Sequence, residues 1–90
     1  MPTPKAGKPK IALLEAFGAE VRQRRQALGY SQEAFGDHCG IDRSYMGGIE
    51  RGEHNLALIN VFRIIESLDV KPSEFFAGLD TLTTAGRRRR

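Results

Sequence analysis

Ninety residues, 40% of them hydrophobic and 28% charged, with a net charge of +3 and one cysteine, allow one modest domain rather than two. An internal disulfide is excluded, and no apolar run approaches the roughly 20 residues that a membrane helix needs. The basic N-terminus MPTPKAGKPK lacks the apolar segment of a secretion signal, so a cytoplasmic protein is expected.

Where the charge lies matters more than its total. Lys5, Lys8, Lys10 and the arginines at 87–90 are seven of the fourteen basic residues. The other seven share positions 11–86 with eleven acids, so that region carries −4 (7 − 11). Bulk charge is therefore no argument for nucleic acid. A local basic face would be needed, with the ends adding a sequence-independent attraction that salt weakens.

Residues 1–10 hold three of the four prolines and read as a flexible basic tail. From Ile11 to Leu28, the spacing of Leu14, Phe17, Val21 and Leu28 suits one face of a helix, with Arg25 near that face. Gly29 ends it. Ser31 can then cap a second helix, its hydroxyl accepting from the amide of Glu33 or Ala34. That helix runs from Gln32 to about Cys39. Gly40 supplies the left-handed conformation of a sharp corner, and Ile41 follows as an apolar plug. Asp42 can cap a third helix, from Arg43 to Arg51, which stops at Gly52.

His54 and Asn55 fall in a loop. A fourth helix spans Leu58 to Leu68, with Leu58, Val61, Ile65 and Leu68 on one face and Ile64 at its edge. Ile59 and Phe62 lie off that face. Asp69, Val70, Lys71 and Pro72 break the helix. Ser73 and Glu74 begin a last short one, anchored by Phe75, Phe76 and Leu79. Residues 80–90 are polar, Thr-rich and Arg-ended, a second flexible tail. The expected fold class is all-α: five helices in one compact domain over residues 11–79.

Two short helices joined by a glycine corner are the outline of a helix-turn-helix. The segments FGAEVRQRRQALGYSQ, GIDRSYMGGIERGEHN and LALINVFRIIESLDVKPSEFF resemble, in order and spacing, the lambda-repressor/Cro-like (XRE) helix-turn-helix family. The resemblance covers about Phe17 to Phe76, and its most specific part is the ERG ending with Ile49 before it. It implies a sequence-specific double-stranded DNA-binding transcriptional regulator. Such proteins bind palindromic operators as homodimers, with the helix from Arg43 to Arg51 in the major groove. Short members with this layout include phage repressors and the controller proteins of restriction–modification systems.

On that resemblance, Arg43 is the expected base reader. It stands in the first turn of the recognition helix and could bond guanine O6 and N7 bidentately. A salt bridge or a phosphate contact is its alternative. Ser44 could meet a base or a phosphate. Gln32 opens the second helix, where amides favour a phosphate, and the family's matching glutamine also braces the recognition helix. Ser31, Arg51, Asn55, Arg22 and Arg24 are further phosphate candidates, with a solvated surface role or, for Ser31, a cap as the bland reading. Tyr45 could touch backbone phosphate or pack internally.

Gly47 and Gly48 depart from the family pattern, where long polar side chains are common. Each costs roughly 1 kcal/mol relative to alanine in a helix interior. They offer either close approach of bare backbone to bases or a poorer helix whose specificity rests on Arg43 and Ser44. Gly36 replaces a usual alanine at a helix crossing. The resemblance pairs Arg25 with Glu50 in a partly buried ion pair. Phe35, Ile41, Met46 and Ile49 read as core.

Ile59, Phe62, Phe75, Phe76 and Leu79 are candidates for a two-fold dimer interface, with core closure as the alternative for Phe75 and Phe76. His38, Cys39 and His54 match no zinc spacing, and no catalytic constellation stands out, so no metal, cofactor, small-molecule ligand or enzyme activity is expected. The rival from another class is a protein-binding, antitoxin-like module that does not read DNA sequence.

Overall fold

The structure, a computed structural model, describes residues 11–80. The tails at 1–10 and 81–90, with the basic arms expected there, lie outside the described residues. Within them the chain is all-α, with five helices: α1 (Ala12–Ala27), α2 (Gln32–Cys39), α3 (Arg43–Glu50), α4 (Leu58–Ser67) and α5 (Pro72–Ala77).

Helix ends follow the expected chemistry. The Ser31 hydroxyl accepts from the Ala34 amide at 3.0 Å, satisfying a free donor at the start of α2. Asp42 accepts from the Ser44 amide at 3.0 Å and opens α3. Gly40 takes φ 76°, ψ 30° and lets the chain turn, while the Ile41 amide bonds back to the Gly36 carbonyl at 2.7 Å. Pro72 is the first residue of α5 rather than part of the break before it, because a helix start has no use for the amide that proline lacks.

One core joins all five helices: Phe17 and Val21 from α1, Phe35 and Cys39 from α2, Met46 and Ile49 from α3, Ile64 and Ile65 from α4, Leu68 at its end, and Phe75 from α5. The Phe17 and Phe75 rings meet edge to face at 5.3 Å and bring α1 onto α5. α1 and α2 both pack against α3, so the helix after the corner is held from two sides.

Two apolar stripes end differently from their periodicity. Leu28 and Leu58 are exposed. Tyr30 and Leu56, in the segments beside those helix ends, pack against the core in their place. On α4 it is Ile64 and Ile65 that are fully buried, and Val61 only partly. Phe75 and Leu79 are buried too, so they serve the core and are withdrawn as interface candidates.

Close approach of α1 and α3 depends on Gly18. A Cβ there would run into the Ile49 carbonyl oxygen and lie 2.7 Å from that of Glu50. Both obstacles are backbone and cannot swing away. Gly18→Ala is expected to destabilise the fold by about 2 kcal/mol, within the usual range for overpacking. A urea midpoint equal to that of the wild type would show that the two helices can separate without cost.

Candidate nucleic-acid interface

The centre of the site is a buried carboxylate. Glu50, at the end of α3, accepts from Arg25 Nε at 2.7 Å and from Arg25 Nη2 at 3.0 Å. Gln32 Nε2 donates to the same carboxylate at 2.9 Å. Arg25 gives its remaining Nη1 to the Tyr30 carbonyl at 2.8 Å. The Arg25 and Glu50 side chains are only 8% and 2% exposed. One carboxylate thus fastens the C-terminus of α3 to the last turn of α1 and the start of α2. The adjoining Gly52, at φ 79°, lies so close to Glu15 that a Cβ would come 2.7 Å from its Cα. The ERG sequence is therefore a lock followed by a tight exit.

The first three residues of α3 are free of the core. Arg43, Ser44 and Tyr45 are exposed, while Met46 and Ile49 point inward. Arg43 makes an exposed ion pair with Glu33 of α2 at 3.2 Å. The Ser44 hydroxyl donates to Asp42 at 2.6 Å. Arg51 pairs with Glu53 at 2.8 Å, which holds its guanidinium more firmly protonated than usual. Asn55, Ser31 and Arg22 are exposed, and Gln32 is half-buried by its bond to Glu50. An open depression of about 600 Å³ beside α3 is lined by residues that include Ser44, Tyr45, His54, Asn60 and Arg63.

Three candidates sit differently from their sequence reading. Arg24 turns inward: it bonds Glu20 at 2.6 Å and the Glu74 carbonyl at 3.4 Å, and lies over the Phe75 ring. It fastens α1 to α5 and is withdrawn as a phosphate contact. Gly47 is buried under Arg51 and Gln32 and does not present bare backbone. Gly48 is buried as well, covered by the His54 ring. The Glu20–Arg24 bond is an i,i+4 pair that the sequence carries openly. The His54 contact has no local signal.

The histidines stack on tyrosine rings and the cysteine is buried. His38 stacks on Tyr30 with ring centroids 5.2 Å apart, and His54 stacks on Tyr45 at 4.2 Å. Burial pushes the Cys39 thiol above its ordinary range, the opposite of an activated nucleophile.

A helix-turn-helix family profile matches residues 21–75. The chain belongs to the helix-turn-helix family. Among helix-turn-helix relatives, control protein C.MunI from Mycoplasma is 32% identical, over 71% of this chain and 88% of its own. Control protein C.BamHI from Bacillus amyloliquefaciens is 39% identical, over 64% and 73%. The crystal structure of the restriction–modification controller protein C.AhdI from Aeromonas hydrophila matches with a TM-score of 0.69 at 44% identity, covering 73% of this chain and 100% of that one. The controller protein C.Esp1396I, solved as a tetramer in complex with its natural 35 base-pair operator, matches with a TM-score of 0.74 at 29% identity, over 80% and 95%.

Removing one partner of a buried ion pair leaves the other charge uncompensated, so Glu50→Ala is expected to cost about 3–5 kcal/mol. Arg43→Ala removes only an exposed pair and should cost under about 1 kcal/mol. Equal melting temperatures for the two variants would remove Glu50 from its structural role. A pH test follows from Asp42, whose carboxyl is held below the usual range first by the Ser44 hydroxyl and then by the Ser44 amide. A lowered folded-state pKa gives stability that is present above the unfolded value, about 3.9, and lost as pH falls through the folded one. The stability difference between wild type and Asp42→Ala should therefore be full at neutral pH and close below that value. A difference that persists unchanged in acid would contradict the carboxylate cap.

Proposed function

We propose that this chain is a sequence-specific DNA-binding transcriptional regulator of the controller type, which binds a palindromic operator as a homodimer. The observation that carries the reading is the anchoring of α3. Its C-terminus is locked by Glu50 and its inward face is core, while Arg43 and Ser44 project at its open N-terminus. Controller proteins of similar fold support the assignment, C.Esp1396I in particular, since its structure was solved on its operator.

In this reading α3 enters the major groove. Arg43 leaves Glu33 and reads guanine through its O6 and N7, with Ser44 beside it. Ser31, Gln32, Tyr45, Arg51, Asn55 and Arg22 hold the phosphates, which set register rather than sequence. The start of α2 adds its free amides to that set.

The partner surface is a second copy. Ile59 is 70% exposed, Phe62 43% and Phe76 37%. The Phe62 and Phe76 rings lie 6.2 Å apart and join α4 and α5 in one apolar patch that Leu58 extends. A two-fold pairing would cover this patch on both copies at once.

Selection of bound sequences from a random DNA pool tests the reading. The wild type is expected to enrich a two-fold symmetric motif with half-sites about one helical turn apart. Arg43→Ala is expected to lose a guanine preference in each half-site, a discrimination of about 1–3 kcal/mol. Failure to enrich any motif, with only weak salt-sensitive binding, would overturn the proposal in favour of a protein-binding module.

A further inference from the structure

Two consecutive glycines in a helix that must present side chains are unfavourable on local grounds, and Gly48 has a specific use. A Cβ at this position would collide with His54 Nε2 and come 2.7 Å from its Cδ2. The imidazole fills the volume that the missing methyl leaves. The backbone brings it there: the Glu53 amide bonds the Gly48 carbonyl at 2.9 Å, which lays the following residue against the helix. The ring then stacks on Tyr45, centroids 4.2 Å apart and planes within 17° of parallel. Tyr45 stands beside Arg43 and Ser44 at the outer half of α3 and is itself partly exposed. Its ring has only two rotatable bonds, so one flat neighbour is enough to fix its direction.

We propose that His54 is a positioning residue for DNA binding, seated in the gap at Gly48 and holding Tyr45 in the orientation that meets the operator backbone. This rests on the DNA-binding reading above and replaces the idea that Gly48 approaches DNA as bare backbone. The loop after α3 is thereby a working part of the interface through one stacking contact, and Gly48 is the residue that admits it. A methyl at 48 displaces a side chain, not backbone, so the fold tolerates it. Alanine also has the better helix propensity.

The test is a pair of double-mutant cycles read as operator affinity at fixed salt, using the site selected by the wild type, with melting temperatures as a control. Gly48→Ala is expected to keep or raise the melting temperature while weakening binding about tenfold. His54→Ala should weaken binding by a similar factor. The Gly48→Ala/His54→Ala double variant should bind no worse than His54→Ala alone, because the ring that the methyl displaces is already gone. His54→Ala should likewise add nothing in a Tyr45→Ala background. Additive losses in the first cycle would mean that Gly48 acts on DNA independently of His54. Additive losses in the second would mean that His54 touches DNA itself. Either result overturns the proposal, whereas a wild type that selects no site overturns the DNA-binding reading instead.

Discussion

Everything on the outer surface of α3 depends on one carboxylate that never reaches that surface. Glu50 gathers three donors, two from Arg25 and one from Gln32. A lone buried charge would be costly, and an ion pair in the same place does not by itself guarantee stability. Its value lies in direction. A bidentate guanidinium fixes the plane of the carboxylate, and the amide of Gln32 fixes the third side. α3 has only eight residues, too few to hold a helix alone in water, so its position is set by such contacts and by Met46 and Ile49 beneath it.

The same arrangement divides the labour within the helix. The C-terminal end is anchored and the N-terminal end is offered. Asp42 caps that offered end and draws the Ser44 hydroxyl to itself, so the first turn is ordered by its own chain. Gln32 belongs to both halves. Its side chain braces Glu50, while its backbone lies at the start of α2 with amides still free to meet an anion. A substitution at Gln32 would therefore loosen the anchor of α3, whereas one at Arg43 would leave that anchor intact.

Much of this was legible in the residues. Ser31, Gly40 and Asp42 mark the corner through chemistry that works over two or three positions, and the structure uses all three as read. The Arg25–Glu50 pair came from resemblance to known proteins rather than from spacing, since a separation of 25 positions carries no local signal. Periodicity showed which side of α1 and α4 is apolar but not where each stripe runs past the edge of the core. Leu28 and Leu58 are exposed for that reason, while Tyr30 and Leu56, partly buried, pack against the core. The sequence displayed Gly48 as an anomaly. Only three-dimensional packing shows that a side chain six positions on completes it.

The exposed pairs of Arg43 with Glu33 and Arg51 with Glu53 bear on discrimination. In the proposed DNA-binding reading, each cation would reach the duplex already neutralised by its own chain. Meeting an arbitrary phosphate, it exchanges one anion for another and gains little. At a guanine edge, as the proposed function has it, Arg43 would gain two acceptors in a single plane, which its neighbouring carboxylate does not match here with one contact at 3.2 Å. Surface pairs of this kind are weak, so the exchange is readily made where the sequence is right. On that reading, a domain whose acids outnumber its bases would stay loosely held by the great excess of wrong sites, with its residence concentrated where the bases themselves provide the difference.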